Sequence, residues 1–348
     1  MEASATSAGG GRSVLKRSPL SRLPDRVLPW ALRSLAVLIL ALIVYFFIRL
    51  IGESGSTFST FGLSFIFGND WDVSRNIYHG LALVVGTLIT SGIALLLGVP
   101  VAVGVALYLT ELCPRRLRGA LAMLVDLLAA VPSVVYGLWG VFFLAPKLLP
   151  AEKWFANTFS FIPWIGGGAS SATPTNYFIA SLVLAIMILP IVSAISREVI
   201  ATVPPENKEA ALALGATRWE MIRMAVLPYS RSGIVGGAML GLGRALGETI
   251  AVVLLIGDAP TIGKHLFSQG YSLAAVIANE FGEATGLHRS ALFAAGLVLF
   301  VLTLVVNIVA RTYVARGTRG LRTAGGGDAG GGFGSSAVSL VSQEGPVT

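Results

Sequence analysis

The sequence predicts an all-helical protein embedded in a membrane, and its composition and its hydrophobic pattern both lead to this class. Of the 348 residues, 54% are hydrophobic and only 12% are charged. This apolar share exceeds what a water-soluble domain buries. Six apolar runs reach the roughly 20 residues that a helix needs to cross a hydrocarbon core of about 30 Å. The runs are continuous rather than alternating, which excludes a membrane β-barrel.

The six predicted transmembrane helices are separated by loops of moderate length. They cover residues 31–51, 77–110, 119–146, 177–196, 232–257 and 291–310. The second run is longer than a bilayer requires, and we expect Pro100 to kink or end it, since proline lacks the amide hydrogen that a helix interior uses. Pro132 and Pro190 are expected to bend the third and fourth helices.

The distribution of lysine and arginine predicts the orientation of the chain, because these residues are enriched in cytoplasmic loops. Eighteen of the 25 lie in the N-terminal arm, in the loops after the second and fourth predicted helices, and in the C-terminal tail. Six lie on the other side, and Arg244 lies within the fifth helix. We therefore expect a plasma-membrane protein with both termini in the cytoplasm. The net charge of +7 then reflects topology and attraction to anionic lipid, without nucleic acid.

Both ends of the chain have low sequence complexity. Residues 1–30 are basic and residues 323–348 are rich in glycine, and neither segment contains enough apolar residues to form a core. We predict two disordered cytoplasmic segments. Residues 31–51 are expected to be an uncleaved anchor, because the RLIGESGS that follows lacks the pattern of a signal-peptide cleavage site.

The sequence contains no pattern that indicates a cofactor, a metal or a catalytic centre. The three histidines are scattered, without a partner at ligand spacing, and there is a single cysteine. The G-x-x-x-x-G-K-[ST] loop that binds the phosphates of ATP does not occur. If ATP drives this protein, another chain binds it.

The fourth loop, VPPENKEAALALGATRWEMIRMAVLP at residues 203–228, has the pattern of two short helices. Its two prolines can begin the first helix, and Gly215 supplies a C-terminal stop. Thr217 and Glu220 have the spacing of a capping box that begins the second helix. This elbow can enter a groove on a partner protein, or rest on lipid headgroups as an amphipathic pair. The residues alone leave both interpretations open.

The stretch GLGRALGETIA, residues 241–251, places Arg244 and Glu248 inside the fifth predicted helix. At about 100° per residue, both side chains share one face with Gly237 and Gly241. The pattern also predicts a second face of small residues for close packing on another helix. Its members are Gly236, Gly243 and Gly247.

The two charges of this helix have a functional and a structural interpretation. An unpaired arginine in the membrane costs about 2.5 to 3.5 kcal/mol, and a pair at i and i+4 satisfies part of each group. The pattern favours an anion pathway in which Arg244 donates hydrogen bonds to a desolvated anion. Glu248 would position the guanidinium and keep the anion from binding too tightly, because passage requires weak sites. A pair that only holds the helix in register is the alternative.

Asp126 is a further charged residue inside a predicted helix. It lies about eight residues from Arg118, roughly 12 Å along the third helix, and so at a different level from Arg244. We interpret it as a packing or hydrogen-bonding residue rather than a pathway residue.

Several segments resemble one family of membrane proteins. EAALALG, with LP twelve residues after its glycine, is similar to the EAA loop of ABC importer permeases, which docks on their ATPase subunits. Glu209, Ala210, Ala211 and Gly215 match that pattern, while Ala225 stands where isoleucine is common. The segments GNDWDV, LALVVGTLITS, LLAAVPSVVYGLWG and GLGRALGETIAV resemble phosphate-specific (Pst) permeases of the PstC type. The resemblance covers about residues 60 to 312.

This resemblance implies the type I ABC importer permease fold, with its core at residues 77–312 and the first helix peripheral. It further implies ATP-driven import of inorganic phosphate, with Arg244 and Glu248 associated with phosphate passage. The implied partners are a second permease of the PstA type, two ATPase subunits and an extracytoplasmic phosphate-binding protein. Two alternatives stay open. One is the same machinery for another oxyanion, molybdate or sulfate, and the other is a self-contained secondary transporter with Asp126 and Glu248 as a proton relay.

Overall fold

A computed structural model describes residues 23–165 and 172–324, and most of this part of the chain is helical. The chain divides into two units, Met1–Glu53 and Ser54–Thr348. Of the first unit the structure describes one helix, α1, at Leu23–Glu53. This helix begins earlier than the predicted residue 31, because helical hydrogen bonding does not require the apolar residues that cross a membrane. Most of the predicted disordered arm and tail lies outside the described residues.

The second unit contains thirteen α-helices and one small sheet in the part that the structure describes. The helices are α2 (Gly55–Phe61), α3 (Ser64–Phe67), α4 (Leu81–Leu107), α5 (Arg115–Ala130), α6 (Ser133–Trp139), α7 (Ala145–Thr158), α8 (Tyr177–Ala201), α9 (Pro205–Ala213), α10 (Arg218–Met221), α11 (Leu227–Leu246), α12 (Ile250–Ile256), α13 (Leu273–Glu280) and α14 (Gly286–Ala324). Strands β1 (Trp71–Asp72) and β2 (Ile77–Tyr78) pair antiparallel. Three π-helical turns continue α4, α6 and α10, at Tyr108–Leu112, Gly140–Leu144 and Ile222–Val226.

Five helical stretches among the described residues are long and apolar enough to cross a membrane. They are Val27–Glu53, Leu81–Leu112, Ser133–Thr158, Tyr177–Ala201 and Gly286–Thr312. A sixth arises if Arg218–Leu246 and Ile250–Ile256 are taken as one span with a bend of 66°. The prediction of six helical spans therefore agrees with the structure when this bent pair is one span.

The predicted third helix, residues 119–146, is two helices in the structure. Helix α5 ends at Ala130, Val131 and Pro132 are extended, and α6 begins at Ser133. Proline donates no hydrogen bond, and it disfavours the helical conformation of the residue before it. The chain therefore breaks at Pro132, whereas Pro100 and Pro190 lie inside α4 and α8.

Helices α4, α8 and α11 pack together at the centre of the second unit. Where α4 and α8 meet, side chains such as Leu83, Leu184 and Ile188 are fully buried. Glycines allow the close approaches. A Cβ atom placed on Gly86 of α4 would collide with the backbone carbonyl oxygen of Tyr271. A backbone carbonyl, unlike the tip of a side chain, cannot rotate away, so a Cβ atom does not fit at position 86.

We expect Gly86→Ala to lower the melting temperature and Gly92→Ala, in the same helix, to leave it unchanged or raise it. Overpacking a core typically costs about 1 to 3 kcal/mol, and here the obstacle is backbone. A Cβ at Gly92 meets nothing within 4 Å, and alanine gains up to about 1 kcal/mol of helix propensity over glycine. Thermal melting of the purified protein checks this, and equal melting temperatures for the two variants would contradict it.

Candidate functional site

A groove with a volume of about 1230 Å³ lies between α8, α11 and α14. Most of its lining is apolar, and four polar side chains project from two of the helices. They are Ser232 and Arg244 of α11, and Asn307 and Arg311 of α14. Among the described residues that line the groove there are two arginines and no carboxylate. The electrostatic character of this groove therefore favours an anion.

Arg244 is exposed near the end of α11, on the side of the groove. No acidic side chain within the described ranges forms an ion pair with it; the pairs that the structure contains lie elsewhere. A guanidinium group carries five N–H donors and stays charged at physiological pH. Arg244 is thus available to donate hydrogen bonds to a ligand in the groove.

The two glycine faces of α11 have the opposite roles from those predicted. A Cβ at Gly241 would collide with Val192 of α8, and one at Gly237 would press on Ile195, so this face packs on α8. Gly236 and Gly243 have open space beside them and line the groove. Periodicity correctly separates the faces, but it does not identify the neighbour that each one meets. Arg244 lies at the edge of the packed face, and its long side chain reaches the groove.

Glu248 does not continue the face of Arg244, so the predicted pair at i and i+4 is wrong. Helix α11 ends at Leu246 with Gly247 as its C-cap, and glycine is among the weakest helix formers. The Glu248 carboxylate instead accepts a 3.5 Å hydrogen bond from the backbone N–H of Ala251, at the start of α12. Glu248 is half-buried at the bend and lies outside the groove lining.

The structure contains the predicted elbow of two helices joined by a glycine. Gly215 follows α9 with φ at +85°, a conformation that only glycine adopts without strain. At the start of α10 the Thr217 hydroxyl accepts a hydrogen bond from the Glu220 N–H, and the Glu220 carboxylate accepts one of 2.8 Å from the Thr217 N–H. This capping box fixes the direction of the second helix.

The outer surface of the elbow combines polar and apolar side chains. Glu209 and Ala210 are exposed, and Ala211 is half-buried. Leu214 is 90% exposed and Trp219 is 64% exposed. Large apolar side chains that project from a polar segment are typical of a contact surface for another protein or for lipid.

An ion pair anchors the elbow to the end of the predicted second transmembrane helix. The Lys208 ammonium lies 2.6 Å from the Glu111 carboxylate, and both side chains are largely buried. This contact holds the elbow against the end of that helix.

Asp126 forms an ion pair that the sequence does not reveal. The Arg197 guanidinium donates a 2.5 Å hydrogen bond to the Asp126 carboxylate, which joins α8 to α5. The predicted fourth helix ends at residue 196, which would place Arg197 in the following loop, but Arg197 lies inside α8 with a side chain that is only 16% exposed. The contact agrees with a packing role for Asp126.

Comparisons with known proteins identify the family. Residues 95–319 match the family described as the inner membrane component of binding-protein-dependent transport systems. The chain is also 44% identical to the phosphate transport system permease protein PstC of Pasteurella multocida (strain Pm70), over 82% of this chain and 89% of the relative. This chain belongs to the PstC family of permeases. Another PstC family member, from Mesorhizobium japonicum, is 43% identical over 84% of this chain and 91% of the relative.

Solved structures with the same fold include a bacterial alginate ABC transporter, crystallised with an alginate-bound periplasmic protein. The matched region spans 85% of this PstC family chain and 98% of the transporter chain, with a TM-score of 0.56 and 19% identity. A second crystal structure, of a bacterial ABC transporter that imports alginate, gives a TM-score of 0.51 at 22% identity, over 86% of this chain and 99% of that one. At this identity the likeness concerns the fold alone. The family and the fold together make the chain an integral membrane permease of the ABC importer type.

Two polar residues of the groove in this PstC family chain, Asn307 and Arg311, are not evident from the sequence. In the sequence, Arg311 is one of the basic residues of the C-terminal tail, and Asn307 lies inside the sixth apolar run. Their spacing at i and i+4 places both on one face of α14. That spacing was visible in the sequence, but nothing there indicates that this face lies beside α11.

Proposed function

We propose that this chain is the membrane-spanning permease subunit of an ATP-driven importer of inorganic phosphate and that it moves the anion inward. The observation that carries the proposal is the groove of a PstC family chain, with arginines and no carboxylate in its described lining. A phosphate ion that enters the membrane loses hydration, and a planar guanidinium replaces part of it with paired N–H donors.

Arg244 is the residue that we propose to contact the anion during passage. It is charged, exposed to the groove and free of an ion pair in the described part of the chain, so binding a phosphate does not first require a contact to break. We propose that Glu248, at the bend beyond α11, acts as a nearby negative charge that keeps this contact weak. Weak contacts suit transport, because an anion that binds tightly cannot leave.

The groove is open on one side, and we propose that a second permease of the PstA type closes the pathway. Residues 77–312 form the importer core in this proposal, and α1 is a peripheral anchor. Both termini lie in the cytoplasm, as the positive charges indicate. An extracytoplasmic phosphate-binding protein delivers the anion from the opposite side. Membrane lipid contacts the remaining surface of the membrane-spanning helices.

The elbow at 203–228 is the proposed attachment for the ATPase subunits, of which the complete importer contains two. Glu209, Ala210, Ala211 and Gly215 form the segment that fits the EAA pattern, and Leu214 projects beside them. ATP binding and hydrolysis take place on those separate chains. The Lys208–Glu111 ion pair then passes their movement from the elbow to the membrane helices.

The test is uptake of labelled phosphate by the complex, purified with its partners and reconstituted in vesicles. We expect uptake that requires ATP and that excess sulfate or molybdate does not reduce. Competition by molybdate or sulfate as strong as by unlabelled phosphate would assign the machinery to another oxyanion. Uptake that persists without the ATPase and stops when the proton gradient is dissipated would make the chain a secondary transporter.

A further inference from the structure

We infer that Arg311, together with Asn307, forms a second anion-binding station at the cytoplasmic end of the groove and that phosphate leaves through it. This inference rests on the proposed function, because it assigns a further step to the same pathway. It adds two residues of α14 to the proposed anion pathway, which already contains Arg244 of α11.

The geometry places the two arginines at opposite ends of the groove. The lining of α11 extends from Ser232 to Arg244, which is roughly 18 Å along the helix at 1.5 Å per residue. The span that contains α11 and the span of α14 follow one another, so they cross the membrane in opposite directions. From this order we place Arg311, at the end of the α14 lining, toward the Ser232 end of the groove and away from Arg244.

Asn307 and Arg311 present their polar groups on one face. They are separated by four residues, or about 6 Å along α14, and both line the groove. An amide can donate two hydrogen bonds and a guanidinium five. Ser232 of α11 also belongs to the groove lining. The lining at this end therefore offers a guanidinium, an amide and a hydroxyl as hydrogen-bond donors to an anion.

The charge of Arg311 is not balanced by a neighbour. It forms no ion pair with the acidic residues in the described ranges, and its side chain is exposed. A single attractive site on Arg244 would retain the anion at that level of the membrane. A second site further along gives the anion a place to move to, because conduction requires several sites that are each weak enough to release it.

A basic residue at the cytoplasmic surface often serves only to orient a helix. Arg231 provides the comparison, since it is exposed at the same end of the groove but does not belong to its lining. If the general positive charge of this region were sufficient, Arg231 and Arg311 would be equivalent. The inference predicts that they are not.

The test compares Arg311→Gln, Arg311→Lys, Asn307→Ala and Arg231→Gln in the reconstituted importer, with uptake expressed per assembled complex. We expect Arg311→Gln to lower the maximal rate of phosphate uptake by about tenfold or more, the effect of one lost charge-assisted hydrogen bond. Arg311→Lys should recover part of the rate, and Asn307→Ala should lower it less. Arg231→Gln should keep the wild-type rate. The phosphate concentration for half-maximal uptake should not change, because it reflects capture before the groove.

Wild-type uptake rates in both Arg311→Gln and Asn307→Ala would overturn the second station. So would equal losses in Arg311→Gln and Arg231→Gln. In these cases the loss of uptake in Arg244→Gln still supports the proposed function. If the wild-type importer itself does not move phosphate, the proposed function fails first and the station fails with it, so the two failures are distinguishable.

Discussion

Replacing Arg244 with glutamine should abolish or sharply reduce phosphate uptake while the complex still assembles. Arg244 faces the groove and forms no ion pair with the described acidic residues. Replacing it with the neutral glutamine therefore leaves no acidic partner unpaired. Its charge-assisted hydrogen bonds to the anion are worth about 1.5 to 3 kcal/mol, which corresponds to a loss of about 10- to 100-fold in rate. Uptake of labelled phosphate at matched expression measures the effect, and thermal melting of the purified complex measures stability.

A double-mutant cycle with Glu248→Gln separates transport from structure. Glutamine keeps an oxygen that can accept the hydrogen bond from Ala251, so Glu248→Gln serves as a matched control for the bend. Breaking a buried pair typically costs about 3 to 5 kcal/mol. The absence of such a pair between the two residues leads us to expect small changes in melting for each single variant. Restored uptake in the Arg244→Gln, Glu248→Gln protein would refute the pathway role of Arg244.

Gly215→Pro and Glu209→Lys should impair attachment of the ATPase subunits without preventing membrane insertion. Proline holds φ near −65°, whereas Gly215 has φ at +85°, so the elbow cannot keep its shape. Glu209→Lys leaves the backbone unchanged but reverses an exposed charge on the docking segment. Co-purification of the ATPase with the permease, followed by ATP-dependent uptake, measures both effects.

The matched controls for the elbow are two alanine substitutions. A Cβ meets nothing within 4 Å at either Gly215 or Gly119, but only Gly215 has a positive φ. An L-residue in that conformation costs about 1 to 2 kcal/mol. Gly215→Ala should therefore weaken attachment in part, and Gly119→Ala should not affect it. Normal recruitment and uptake in Gly215→Pro and Glu209→Lys together would show that the elbow is not the docking site.

The elbow could be predicted from sequence because its determinants are local. Thr217 and Glu220 bond to backbone groups within three residues, and Gly215 needs only its own freedom at positive φ. The number of apolar spans was predictable for a similar reason, since length and composition alone decide whether a helix can cross a bilayer. Boundaries were harder. The break at Pro132 and the end of α11 at Gly247 depend on whether the surrounding packing holds a bent helix together, and the sequence does not show that packing.

The sequence by itself determined that Arg244 is a charge inside an apolar span and that a helical elbow joins the fourth and fifth spans. It also predicts that the positive loops share one side of the membrane. Only the tertiary structure decided that Arg244 lines a groove together with Asn307 and Arg311. It also decided that the packing face of α11 carries Gly237 and Gly241. The reason is physical: helical periodicity assigns each residue to a face, but the neighbour of that face depends on how distant segments pack. Gly241 and Val192 of α8, like the groove residues of α11 and α14, are distant in the sequence and come together only when the helices fold around one another.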